Sequence, residues 1–298
     1  MTADAKRTIL FTGGTGFLGS NLLRRLAGND FNILVLVRIS SKLFRIKDLS
    51  DKVTLLYIEK TDLEELFKEH KIDIVVHCAT NYGRNNTEPL SVLESNLLLP
   101  LKLLQIGADN GLACFINTDT ILDKRVSYYS LSKGQFKDWL KLYSDRMVCV
   151  NVALEHFYGP DDDKSKFVSW VVHSMLARLA NLELTLGEQK RDFIYIEDVV
   201  AAFLSIIRAT AAKNKGFISY EIGSGKTVSI RELVLLIKRL AENDTTHVSF
   251  GALPYRENEV MESKTDLTTI SALGWRPQVS LETGLMNTIG FEKKVLNI

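Results

Sequence analysis

The stretch TILFTGGTGFLGSNLLRRL at residues 8–26 constrains the fold more than any other part of the chain. An apolar run ends in Gly13, and Gly16 and Gly19 follow at equal spacing as a helix-length amphipathic segment begins. Glycines placed there permit a tight turn and a close approach of another group to the backbone. The same alternation then recurs. The apolar runs NILVLVR (32–38), VTLLYI (53–58), IDIVVHCA (72–79), ACFINT (113–118) and MVCVNVAL (147–154) are separated by helical candidates at 17–26, 63–69, 91–107 and 129–142. Runs that are apolar at almost every position are strands buried on both faces. The predicted class is therefore α/β, with a doubly wound, mainly parallel sheet covered by helices.

A glycine-rich turn between the first strand and the first helix of such a series is the signature of a Rossmann-type domain. The helix N-terminus offers free N–H groups and the positive end of a dipole to a pyrophosphate. Gly13, Thr15, Gly16, Phe17, Leu18 and Gly19 are predicted to line the cofactor, with Cys78 and Ala79 at the end of the fourth strand. At the end of the second strand the chain reads Arg38-Ile39-Ser40-Ser41. An acidic side chain there would repel a 2′-phosphate, whereas a guanidinium with hydroxyls beside it would bind one. The expected cofactor is NADP(H), with NAD(H) the alternative.

After residue 155 the rhythm loosens into DDDKSKFVSWVV, a helix running to about residue 180, and a Gly/Pro-punctuated tail. FISYEIGS (217–224) and RELVLLIKRLAE (231–242) mark that tail as folded. Residues 1–155, with returning segments near 191–225, are predicted to form the dinucleotide domain. Residues 156–190 and 226–298 are predicted to form a smaller α/β domain for the substrate. No repeat of 20–50 residues is visible.

With 37 basic and 36 acidic residues, a net charge of +1 gives no electrostatic reason to expect nucleic acid or a membrane surface as partner. Cys78, Cys114 and Cys149 each lie in or beside an apolar run and form no C-x-x-C pair, so they read as buried thiols, with no metal site expected. The leading MTADAKRTIL lacks a secretory apolar core, and no run is long enough to span a bilayer. A soluble, cytoplasmic protein is the expectation.

Tyr129 and Lys133 stand four apart on a predicted helix, eleven residues beyond Thr118 at the end of the fifth strand. That spacing puts phenol and ammonium on one helix face. A free tyrosine titrates at about 10, and a neighbouring positive charge favours phenolate, which suits proton exchange with a substrate oxygen.

Together Gly13, Gly16, Gly19, Thr118, Tyr129 and Lys133 resemble the extended short-chain dehydrogenase/reductases, in their nucleotide-sugar branch. The resemblance runs through HCATNYG (77–83), Asn96, HFYGP (156–160), RDFIYIEDV (191–199), YEIGSGKTVSIREL (220–233), PYRENEV (254–260) and LGWRP (273–277), essentially the whole chain. It implies that Tyr129 is the acid/base, that Lys133 holds the nicotinamide ribose and lowers the tyrosine pKa, and that the Thr118 hydroxyl orients the sugar oxygen. It further implies that Arg191 and Arg256 meet a substrate diphosphate, and that Tyr82, Asp119, Thr120 and His156 lie on the substrate side. Read from residue types alone, His77 and His156 at apolar strand ends are structural histidines. The segments 89–107 and 129–142 resemble the helix pair through which family members form homodimers.

Sugar 4,6-dehydratases of that family carry Thr-Asp-Glu where this chain has Thr118-Asp119-Thr120, so the carboxylate base for dehydration is absent here. Epimerases of the family hold NAD tightly, which Arg38 argues against. FINTDT, VALEHFYGPDDD and GEQKRDFIYIEDVV are most similar to the CDP-abequose synthase group, reductases of a CDP-linked 4-keto-3,6-dideoxy sugar in deoxysugar and lipopolysaccharide biosynthesis. Ala153 departs from that group, which has an arginine there. A nucleotide-sugar 4-epimerase with retained NAD and a non-catalytic dinucleotide sensor are the alternatives, the second opposed by the intact Thr118, Tyr129 and Lys133 set.

Overall fold

Each predicted strand is present, displaced by at most a few residues. A computed structural model describes residues 6–29, 31–84, 87–257 and 259–298, so Met1–Ala5 of the leading segment and Asn258 of PYRENEV lie outside the described residues. In chain order, the elements are β1 (Arg7–Thr12), α1 (Phe17–Leu26), β2 (Phe31–Val37), β3 (Thr54–Tyr57), α2 (Leu63–Glu69), β4 (Ile74–His77), α3 (Pro89–Leu93), α4 (Leu99–Asp109), β5 (Cys114–Thr120), α5 (Tyr128–Leu142) and β6 (Val148–Leu154). They continue with β7 (His156–Tyr158), α6 (Phe167–Leu176), β8 (Asn181–Leu184), β9 (Lys190–Tyr195), α7 (Ile196–Thr210), β10 (Gly216–Ile222), β11 (Thr227–Ser229), α8 (Ile230–Leu240), β12 (His247–Phe250), α9 (Thr268–Ser271) and α10 (Leu281–Leu296).

Two compact units result, one comprising the chain up to Leu154 together with Val200–Glu221, the other Glu155–Val199 with Ile222–Ile298. The first holds a seven-stranded sheet in the order β10-β6-β5-β4-β1-β2-β3. From β6 to β3 the neighbours are parallel, with Ile9 opposite both Ile33 and Ile74, and Cys114 opposite Val148. This is a Rossmann-type α/β fold. Strand order reverses between β1 and β4, which is where such sheets bind ligands at their carboxyl ends. Leu10, Leu34, Val75, Leu103, Phe115 and Phe136 pack into one buried cluster, each side chain contributing roughly 1.5–3 kcal/mol over an exposed one.

Local chemistry sets the helix ends. The Asp62 carboxylate accepts the Glu64 and Glu65 N–H groups at 2.8 and 3.2 Å to start α2, and Ser127 accepts Ser130 N–H at 3.1 Å to start α5. The predicted helix at 91–107 is interrupted by a π-helical turn, Glu94–Leu98, just before Pro100. Proline has no N–H for the preceding turn, and the widened turn takes up the change of register. The helix predicted to reach about residue 180 stops at Leu176. Arg178 turns into the left-handed region at φ 51° and the Leu179 N–H closes back on the Ser174 carbonyl at 3.2 Å, a helix-terminating geometry.

In the second unit β9 lies between β7 and β11, parallel to the first and antiparallel to the second, and β12 pairs with β8 in parallel. Because β9 pairs there, residues 191–199 belong to this unit, and the segment returning to the first unit is Val200–Glu221 rather than 191–225. Among the described residues no helix is long and apolar enough to cross a membrane. Cys114 and Cys149 are buried and Cys78 partly so; burial pushes all three thiols up to about 12.

Candidate active site

The carboxyl ends of β1, β4 and β5 converge. Gly13 has φ 73°, and a Cβ there would sit 2.3 Å from the Ala79 nitrogen. A Cβ on Gly19 would sit 2.1 Å from the Gly13 carbonyl oxygen. Both glycines are therefore dictated by backbone meeting backbone. Gly16 starts α1 with no side-chain cap, leaving first-turn N–H groups for an anion. Phe17 and Leu18 face the core, so only their backbone can contribute to that cradle. Thr15 is partly exposed. Cys78 N–H donates to the Thr12 carbonyl at 3.0 Å, and Ala79 is the backbone that presses on Gly13.

At the end of β2 Arg38 is exposed, and its N–H donates to Ser41 Oγ at 3.1 Å. The neighbouring Ile39 N–H donates to both oxygens of Glu59 at 3.2 and 3.1 Å. A carboxylate is thus present beside the arginine, contributed by the end of β3. Nothing in the order of residues after β2 discloses this acid, which arrives from the next strand through the sheet pairing.

Lys133 is 1% exposed and its Nζ has no hydrogen-bond partner among the described residues. Burial lowers its pKa to about 8, while Asp119 and Cys78 oppose that shift and Lys124 adds to it. A buried, unsatisfied ammonium costs more than the roughly 1–3 kcal/mol of a neutral group, so a ligand hydroxyl accepting from it would offset a standing penalty. The orphaned donor, the glycine cradle and the uncapped helix start all fit a dinucleotide.

Tyr129 stands one turn before Lys133, with its ring 5.1 Å from that of Tyr82. Burial, foremost, and Tyr82 push its pKa up, and the nearby Thr120 side chain partly opposes this. The expected lowering of the phenol pKa is therefore corrected: desolvation dominates and holds the group protonated. Thr118, expected to aim the sugar oxygen, donates its hydroxyl proton to the His77 carbonyl at 3.1 Å. The hydroxyl set against Tyr129 is that of Thr120. Asp119, expected on the substrate side, is turned inward with its side chain 1% exposed. His77 fits a structural role: its Nδ1 lies 2.8 Å from Thr12 Oγ1 and burial keeps it neutral.

The π-helical turn aims Asn96 inward. Its Oδ1 accepts Asn81 N–H at 2.8 Å, and its Nδ2 donates to Asn81 O at 2.9 Å and to Ser132 Oγ at 3.1 Å. The segment carrying Tyr82 is thereby fastened to α5, a role that no spacing in the sequence disclosed.

The second unit carries the remaining predicted residues. His156 is no core histidine: it is 38% exposed, with Nδ1 2.9 Å from Glu155 Oε2. The Arg191 guanidinium pairs with Glu259 and donates to Lys190 O at 2.8 Å. Arg256 is exposed, and its carbonyl accepts the Glu259 N–H at 3.1 Å. Glu259, also missed, thus links the two arginines. A cavity of about 440 Å³ in this unit, lined by Phe193, Lys226, Pro277 and Leu281 among others, contains none of the predicted site residues.

A family model described as "NAD dependent epimerase/dehydratase family" matches residues 9–223. A CDP-abequose synthase of Salmonella muenchen is 32% identical, over 97% of this chain and 99% of that one. Among solved structures, a UDP-glucose 4-epimerase of Thermotoga maritima with UDP-glucose superimposes at a TM-score of 0.84 and 24% identity, over 97% and 99% of the two chains. A Thermus thermophilus UDP-glucose 4-epimerase in complex with NAD does so at 0.76 and 22%, over 95% and 98%. At those identities the two structural likenesses speak for the fold.

Proposed function

Because the chain belongs to the NAD dependent epimerase/dehydratase family, whose members modify nucleotide sugars, we propose that it is an NADPH-dependent reductase of a nucleotide-linked 4-keto deoxysugar, similar to the CDP-abequose synthases. The observation that carries this reading is the 32% identity to such a synthase along both whole chains. Thr120 supports it, standing where a dehydratase has its carboxylate base.

A dinucleotide held by the glycine cradle and Lys133 would supply the hydride. Tyr129, held protonated by burial, gives its phenolic proton to the oxygen of the ketone as negative charge develops there. The Thr120 side chain, close enough to oppose the rise in that phenol's pKa, stands beside the proton donor. Lys133 would hold a ribose hydroxyl of the dinucleotide from Nζ, and its charge stabilises the phenolate left behind. Thr118 braces β5 against β4 through the His77 carbonyl. Arg191 and Arg256 bind the substrate diphosphate, Arg191 exchanging its Glu259 partner for phosphate oxygens. The test is a turnover screen of CDP-, dTDP-, UDP- and GDP-linked 4-keto sugars with NADPH; reduction of one of them supports the reading, and inertness toward all of them removes it.

Glu59 favours a second reading, a 4-epimerase with retained NAD, because its carboxylate beside Ile39 disfavours a 2′-phosphate. Arg38 decides between them. Arg38→Ala is expected to weaken NADPH selectively by about 1.5–3 kcal/mol, the scale of a hydrogen bond to a charged group, while NADH titrates unchanged. Equal losses for both cofactors in direct titration contradict the NADPH assignment.

A homodimer is the proposed assembly. Tyr128, Leu131, Trp139 and Leu142 form an exposed stripe along α5, and Leu90 and Leu98 are exposed near it in sequence on α3 and the π-helical turn. Sedimentation at micromolar concentration is expected to give twice the chain mass of 33.5 kDa; a single-chain mass removes the proposal.

A further inference from the structure

Residues alternate across a strand, so Asp119 faces away from Thr118 and Thr120 on β5. A buried carboxylate is costly unless it is paired, and its neighbour across β6 is Ala153, which brings no charge. The cation comes from the following loop instead. Lys124 Nζ donates to Asp119 Oδ1 and to the Thr120 carbonyl, each at 2.6 Å. Thr120 N–H at 2.7 Å and Asn151 Nδ2 at 3.0 Å complete the carboxylate's bonds. The aliphatic stem of Lys124 lies on α5 where Gly134 leaves room: a Cβ there would be 3.0 Å from Lys124 Cγ. Lys124 therefore fastens the β5–α5 loop to the helix that carries Tyr129 and Lys133.

We infer that Lys124 is a positioning residue, which shields Tyr129 and Lys133 from the charge of Asp119 while fixing the Thr120 main chain at the start of the β5–α5 loop. The inference rests on the roles proposed above for Tyr129 and Lys133. The groups facing Lys133 are His77 and Cys78 at the end of β4, Asp119 on β5 and Lys124 in the loop. Tyr82, Arg84 and Asp119 face Tyr129. Asp119 favours the charged form of Lys133 and Lys124 disfavours it. With both present the two effects oppose each other; without Lys124 the carboxylate acts alone.

The test measures dinucleotide affinity between pH 7 and 10 by fluorescence titration, using whichever of NADPH and NADH binds tighter. Wild type is expected to lose affinity with a midpoint near 8 as Lys133 gives up its proton, a step absent in Lys133→Met. Lys124→Met is expected to move that midpoint up by about one unit, Asp119→Asn to move it down, and the double variant to restore it. Lys124→Arg, which keeps the charge, is expected to leave it in place. An unmoved midpoint in Lys124→Met overturns the inference and leaves the role of Lys133 standing. If Lys124→Met does not fold, an unmoved midpoint in Asp119→Asn overturns it equally. Absence of any Lys133-dependent step in wild type overturns both readings together.

Discussion

Tyr129→Phe is expected to lower turnover by roughly two to four orders of magnitude, the scale for losing a positioned general acid. The substitution removes one hydroxyl and keeps the ring that packs 5.1 Å from Tyr82, so the fold and dinucleotide affinity are expected to stay close to wild type. What is lost is the proton for the alkoxide, an effect on chemistry rather than on binding. Titration of the dinucleotide and single-turnover kinetics separate the two effects. If the variant keeps more than about a tenth of wild-type turnover with chemistry limiting, the acid is another group.

The second large effect is on stability. Gly13→Ala is expected to cost about 3–5 kcal/mol, because it combines a left-handed backbone with a collision between Cβ and the Ala79 main chain. Gly111→Ala supplies the comparison, since Gly111 has φ 75° and nothing within 4 Å of a Cβ; its cost is expected to be only about 1–2 kcal/mol, that of the backbone conformation. Urea unfolding of the two variants measures the difference. Equal losses would mean that β1 and the segment after β4 can separate without penalty, contrary to a cradle set by their contact.

The sheet was legible because its strands are buried on both faces and therefore apolar at nearly every position, as in Ile9–Phe11 and Val148–Val150. The 63–69 helix was legible as an amphipathic segment between apolar runs, and the Asp62 cap fixes where it starts. The π-helical turn at Glu94–Leu98 was not, since a change of hydrogen-bond register leaves the apolar pattern almost intact. In the site, the glycines and the Tyr129–Lys133 pair follow from local spacing. The partners that tune them do not. Glu59, Asn96, Lys124 and Asn151 reach their positions only through strand order and loop path, and Asp119 reads as a substrate-facing carboxylate until Lys124 and Asn151 are seen to occupy it.

Cofactor stoichiometry on a 4-keto nucleotide sugar distinguishes a reductase that exchanges its dinucleotide at each cycle from an enzyme that retains it. A reductase purifies largely empty of dinucleotide and oxidises one NADPH for each ketone reduced, followed by the fall in nicotinamide absorbance. Conversion of a saturated nucleotide sugar by protein carrying firmly bound NAD, with no dinucleotide added and no net change in that absorbance, would contradict the reductase assignment.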